Sequence, residues 1–190
     1  EELTLALAVW YRLGQQRGPV VVNMSTSRVC ADLAARFKIP FERTAVGEAN
    51  VVAGMRSAGA IIGGEGNGGV IDPRVGWVRD PFAGMAMILS LMARSGKPIS
   101  VIAAELPHYE IVKTKVEIGS DRLTKALDAL ATHWPDAAVN RLDGLRLDWP
   151  DRWLHVRPSN TEPIVRAIAE GPTRTVAEQL CEVAKRIIAG

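Results

Sequence analysis

The sequence predicts an α/β chain: a three-layer α/β/α domain with a mixed sheet, followed by a smaller α+β domain with a mainly antiparallel sheet. Two observations predict this. In the first half, short apolar runs alternate with amphipathic helical patterns at the pace of strand–helix units. After Leu106-Pro107, Tyr109–Ile118 instead alternates Lys113, Lys115 and Glu117 with Val112, Thr114, Val116 and Ile118, the pattern of a sheet wet on one face. The expected domains are 1–104 and 105–190. A hydrophobic content of 47% over 190 residues is ample for two cores. The formal net charge of +2 with dispersed basic residues gives no footprint for nucleic acid, and no apolar run is long enough to span a bilayer.

In the first domain, Leu3, Leu7, Trp10 and Leu13 recur at helical spacing until Gly14 and Gly18 break the pattern. Pro19–Met24 is an apolar run suited to a buried parallel strand, and Ser25–Ser27 can cap a helix from Arg28 to Phe37. A strand is expected near Phe41–Val46, a helix over Ala49–Ser57, and a third strand at Ala60-Ile61-Ile62 running into a glycine-rich loop. Asp80-Pro81 starts a helix with Asp at the N-cap and Pro at the first position, and Gly96-Lys97-Pro98 ends it. Phe82, Met85, Ile88, Leu89 and Met92 are expected to face inward from that helix.

The second domain opens with the strand Tyr109–Ile118 and a helix from Ser120 through Ala131. Short strands follow near Ala137–Leu142, Leu145–Trp149, Trp153–Val156 and Ile164–Ala169, and a helix from about Val176 to Ile188 closes the chain. Cys30 and Cys181 sit singly among apolar neighbours and read as reduced core cysteines. With neither a disulfide framework nor a secretory signal, a cytoplasmic location is expected. His108, His133 and His155 show neither metal-ligand spacing nor a nucleophile partner, and read as structural or surface residues.

Two segments carry chemistry. Between the last two strands, Arg157-Pro158-Ser159-Asn160-Thr161-Glu162-Pro163 brings together a guanidinium, two hydroxyls, a carboxamide and main-chain N–H groups. That inventory suits a phosphate, with prolines stiffening both ends. It also suits an ordinary hairpin turn rich in Ser, Asn and Thr. In the first domain, Gly63-Gly64-Glu65-Gly66-Asn67-Gly68-Gly69 surrounds a carboxylate and a carboxamide with glycines. It lacks the Lys-Ser/Thr of a nucleotide loop, but Glu65 and Asn67 have the donors and acceptors that hold adjacent sugar hydroxyls. The alternative is a glycine-rich turn with a solvated Glu65.

The Arg157–Pro163 segment followed by Arg166 resembles the phosphate-binding loop in the last domain of the α-D-phosphohexomutases. The Gly63–Gly69 run is similar to that family's sugar-recognition loop, and closest to its Gly-Glu-x-Asn-Gly-Gly variant. Both loops stand in the family's order, and the resemblance spans nearly the whole chain. It implies the C-terminal half of an enzyme that interconverts hexose 1- and 6-phosphates through a bisphosphorylated sugar. Arg157, Ser159, Asn160, Thr161 and Arg166 would hold the phosphate that is not reacting, while Glu65 and Asn67 would fix the sugar ring. The phosphoserine and the Mg²⁺ loop would lie upstream of Glu1, so no catalytic or metal-ligating residue is expected here. The implied partners are a hexose phosphate and the missing N-terminal domains, and the fragment alone is expected to be inactive.

Some positions leave alternatives open. Gly69 stands where many relatives carry His, and Glu48, Ala49 and Asn50 replace the basic or His residues that often follow Thr-x-Val-Gly. Asp80 reads as a helix cap, and Arg79 either faces a ligand or is an ordinary surface arginine. Arg166 either joins the phosphate site or pairs with Glu162 or Glu170. A stand-alone, non-catalytic phosphosugar sensor built from the same two domains is the rival function, and a structural module without ligand is a third.

Overall fold

The computed structural model describes residues 1–117, 120–159 and 164–190. It divides into two compact units, Glu1–His108 and Tyr109–Gly190.

The first unit comprises α1 (Glu2–Gln15), β1 (Val20–Asn23), α2 (Val29–Phe37), β2 (Phe41–Thr44), α3 (Glu48–Ala58), β3 (Ile62–Glu65), β4 (Gly69–Ile71), α4 (Pro81–Ser95) and α5 (Ile99–Ala103). Its sheet has the order β2-β1-β3-β4, with β1 parallel to both neighbours and β4 antiparallel to β3. Every residue of the central strand β1 is buried, as a strand covered on both faces requires. On one side α1 packs over β3 and β4 and against α2 and α4; on the other, α3 lays Val51 and Met55 against Val21 and Ile71. This is the expected three-layer arrangement with a mixed sheet.

Three features differ from the sequence reading. Gly63–Gly69 is not a free loop: Gly63, Gly64 and Glu65 belong to β3, Gly69 begins β4, and Glu65 pairs with Gly69 across a three-residue turn. The short helix α5 was not expected. The inward face of α4 is also not the predicted one, because Phe82, Met85 and Leu89 are 75%, 51% and 63% exposed, while Gly84 and Met87 are buried. Ile88 and Met92 are half-buried. The reason is close backbone approach: a Cβ on Gly84 would lie 3.1 Å from Val70 Cγ2, so the helix rests on its smallest residue rather than its largest. Asp80 does cap α4, its Oδ1 accepting from Ala83 N at 2.9 Å. Ser27 likewise accepts from Val29 N at 3.2 Å at the start of α2.

The second unit comprises β5 (Glu110–Glu117), α6 (Ser120–His133), β6 (Ala138–Asn140), β7 (Leu145–Asp148), β8 (Trp153–Pro158), β9 (Ile164–Gly171) and α7 (Arg174–Ala189). The order is β5-β9-β8-β7-β6, and every pairing is antiparallel. Here α7 packs on β5, β9 and α6, and α6 on β7. Leu154 and Val156 enter the core with Leu145, Leu147, Ala167 and Ala169. Cys181 lies in the same core, and burial pushes its thiol pKa up; Cys30 is buried in the first unit.

The alternate residues of β8 form a buried polar layer. Trp153 Nε1 donates to Glu170 Oε1 at 2.7 Å, and Arg146 lies 4.2 Å over the Trp153 ring while pairing with Asp148 at 2.7 Å. His155 is fully buried, with Nε2 2.7 Å from the Asp143 carbonyl oxygen. Burial pushes its pKa down to about 4, although the Asp143 carbonyl opposes the shift.

Two outcomes follow from this packing. Met87→Ala should cost at least about 2 kcal/mol in urea unfolding, whereas Phe82→Ser and Leu89→Ser should stay within about 0.5 kcal/mol. The second concerns acid. A histidine lowered from 6.5 to about 4 stabilises the fold fully above pH 6.5, and that stability is lost as pH falls towards 4. The loss should be on the order of 3 kcal/mol, and His155→Gln should remove this component from unfolding curves taken from pH 7 to pH 4.

Candidate functional site

In the first unit the polar residues collect where the parallel strands end, the position at which open α/β sheets hold ligands. Asn23 ends β1 and Glu65 ends β3. Glu65 is 6% exposed; its Oε1 accepts from Asn23 Nδ2 at 2.8 Å and from Gly47 N at 3.2 Å, and Oε2 lies 3.2 Å from Arg79 Nη1. Asn23 is oriented in turn, its Oδ1 accepting from Thr26 Oγ1 at 2.9 Å and from Ser25 N at 3.0 Å. Thr26 Oγ1 accepts from Gly66 N at 3.0 Å, tying the loop after β1 to the β3–β4 turn. Glu65 is thus a fixed acceptor rather than a solvated side chain.

Arg79 joins this group. It donates from Nε to Glu48 Oε2 at 2.5 Å as well as pairing with Glu65. Hydrogen bonding to Glu48 raises its pKa, burial opposes, and the charge of Glu65 adds to the rise. A Cβ at Gly69 would overlap the Arg79 side chain, so glycine is needed for the arginine to lie across the hairpin. Arg79, Glu48, Asn67, Gly68, Gly69 and Pro81 line a cavity of about 410 Å³. Asn67 is exposed in it, with Oδ1 accepting from Gly69 N at 3.3 Å. Glu65 lies behind Arg79 rather than on the wall.

In the second unit Arg157 stands near the end of β8, 8% exposed, with Nε donating to Asp143 Oδ2 at 3.0 Å. Ser159 N donates to Ile164 O at 2.8 Å, next to the last β8–β9 pair, Pro158 with Val165. Arg157 pairs directly with Arg166, and Arg166 directly with Lys115. Directly opposed residues share a face, so Lys115, Arg166 and Arg157 form one row of three cations across β5, β9 and β8. Asn160 and Thr161, expected in the phosphate site, lie outside the described residues, as do Glu162 and Pro163.

Sequence reasoning missed Asn23, Thr26, Asp143 and Lys115. Asn23 left a signal, a polar residue ending the run Val20-Val21-Val22, and Asp143 left another, the Asp-Gly pair between two strand patterns. His108 and His133 are exposed, the latter edge-on to Trp134, and His155 is structural in position. Among the described residues no three His, Cys, Asp or Glu side chains are grouped to hold a metal ion. No helix among them is long and apolar enough to cross a membrane.

Residues 2–109 match the model of phosphoglucomutase/phosphomannomutase alpha/beta/alpha domain III, and residues 112–186 that of the phosphoglucomutase/phosphomannomutase C-terminal domain. A phosphoglucomutase/phosphomannomutase of Thermococcus kodakarensis is 33% identical over 90% of this chain, and a phosphoglucosamine/phosphogalactosamine mutase of Sulfurisphaera tokodaii is 30% identical over 90%. The chain spans 38% of the length of each. The fold is shared with a phosphoglucomutase/phosphomannomutase family protein of Burkholderia thailandensis, at a TM-score of 0.80 and 22% identity over 98% of this chain and 40% of that one. It is shared also with an N-acetylphosphoglucosamine mutase of Aspergillus fumigatus, solved with GlcNAc-6P and magnesium, at 0.67 and 15% over 98% and 46%. The chain belongs to the phosphoglucomutase/phosphomannomutase family, matching its third and C-terminal domains.

Proposed function

We propose that this chain supplies the substrate-holding half of a cytoplasmic phosphohexose mutase, which interconverts hexose 1-phosphate and 6-phosphate through a bisphosphorylated sugar. The observation that carries the reading is the row Lys115–Arg166–Arg157 beside the Ser159 segment. Cations on one sheet face can donate together to a single phosphate through charge-assisted hydrogen bonds. Arg157, Ser159 and Arg166, with Asn160 and Thr161, hold the phosphate that is not being transferred. Asn67 reads the sugar hydroxyls together with Arg79 and Glu48 on the same wall, and Glu65 fixes Arg79 from behind it. This is catalysis by positioning; the phosphoserine that makes and breaks the bonds lies outside this chain.

We place the magnesium ion that would support the transfer on residues elsewhere in the protein, as the family resemblance implies. The exposed apolar side chains Phe82, Met85, Leu89 and Val78 favour the mutase over a stand-alone phosphosugar sensor. A patch of that kind marks a surface made to be covered, here by the remaining domains. The 190 residues alone should therefore be inactive. The Gly-Glu-Gly-Asn-Gly-Gly run and the amino-sugar relatives favour phosphoglucosamine or phosphomannose over dedicated glucose specificity.

Coupled assays of the full-length protein on glucose, mannose and glucosamine 1-phosphates test this directly. Turnover of none of them would end the mutase reading, and equal turnover of all three would end the narrower preference. Arg157→Ala should weaken every hexose phosphate alike, by roughly ten- to a hundredfold, because a hydrogen bond to a charged group is worth about 1.5–3 kcal/mol. Glu65→Gln and Asn67→Ala should instead change the ratio of kcat/KM between sugars. The division of labour fails if Arg157→Ala shifts sugar preference more than they do.

A further inference from the structure

The geometry points to Asp143 as a positioning residue for Arg157, held in place by the same strand whose arginine it orients. The ligand-binding part of this inference rests on the phosphate-site reading above. Arg157 Nε donates to Asp143 Oδ2 at 3.0 Å, and the two side chains are only 10% and 14% exposed. Nε is one of five guanidinium N–H donors, and fixing it fixes the plane of the whole fork. An arginine so oriented before an anion arrives loses little rotational freedom on binding.

Asp143 is itself secured at its main chain. Its carbonyl oxygen lies 2.7 Å from His155 Nε2, and a carbonyl can only accept, so Nε2 carries the proton. His155 precedes Arg157 by two residues and shares its face of β8. One strand face therefore grips the aspartate twice, by the carbonyl at His155 and by the carboxylate at Arg157. Gly144 makes this approach possible. It has φ +73°, and a Cβ there would overlap the Val156 carbonyl oxygen and lie 2.9 Å from Arg157 Cα. A residue with a side chain would lift the Asp-Gly turn off the strand and carry the carboxylate away.

Two opposed effects make the proposal decidable. A carboxylate beside a phosphate site repels the ligand, so if Asp143 were only a nearby charge, removing it would tighten binding. If it positions Arg157, removing it loosens binding, and only while Arg157 is present. Titration calorimetry of the full-length protein with glucose 6-phosphate, on Asp143→Asn, Asp143→Ala, Arg157→Ala and both double variants, separates them. We expect about a tenfold loss of affinity in Asp143→Ala, a smaller loss in Asp143→Asn, and almost no further loss when either is added to Arg157→Ala. Tighter binding in the single variants, or an undiminished effect in the Arg157→Ala background, overturns the proposal.

A second readout needs no ligand. The Arg157 Nε–H resonance should exchange slowly with solvent in the native protein, and fast in Asp143→Ala, with the melting of the main-chain amides unchanged. Equal protection in both proteins also overturns it. Gly144→Ala, which alters no polar group, should reproduce the fast exchange. If the native protein binds no hexose phosphate, the mutase reading falls, while the exchange measurement still decides the role of Asp143.

Discussion

The Glu65 carboxylate, almost withdrawn from water at the end of β3, has to be met by donors, and those it finds come from separate parts of the first unit. Asn23 reaches it from β1, Gly47 from the segment after β2, and Arg79 from the approach to α4. An unmatched buried charge would cost several kcal/mol, so the loops that carry these groups are held together by the charge they share. The cavity beside Asn67 is bounded by the outer members of that network. Its shape depends on a carboxylate that does not line it.

The second unit obeys the same constraint with the signs exchanged. Arg157 and Arg146 are nearly buried cations, and each has a carboxylate beside it, Asp143 and Asp148 respectively. Glu170, fully buried, accepts from Trp153. These pairings add little net stability, since the gain in attraction is offset by the loss of hydration. What they fix is direction. A sheet face with its polar groups pinned presents Arg157 in one orientation, in a row with two other cations, and that is the property an anion site needs.

How much of this was legible depended on how local the cause was. The strands and helices were readable because period-2 and period-3.6 patterns are written within a few residues, and the Asp80 cap because donor and acceptor lie three residues apart. The fold class rested on those patterns and matches the structure. The face of α4 was misread because apolar bulk was taken as the sign of burial, whereas the helix approaches Val70 through Gly84. β4 was missed because glycines hide strand propensity. Among the candidate residues, Glu65, Asn67 and Arg157 were visible as chemistry, but their partners were not. Asn23 is 42 residues from Glu65 and Asp143 is 14 from Arg157, and neither distance leaves a pattern in one sequence.

Under the proposed function the two sites face different recognition problems, and their construction differs accordingly. A sugar offers neutral hydroxyls that differ by one stereocentre, so discrimination needs acceptors and donors that cannot rotate to suit the wrong isomer. The double anchoring of Glu65 by Asn23 and Gly47 denies that rotation to the Arg79 it holds. A phosphate is the same on every hexose, so its site needs charge more than stereochemical detail, and a row of three cations supplies it. The aspartate stands outside that row, at the Nε edge of Arg157, where it orients the guanidinium without taking a place among the three cations.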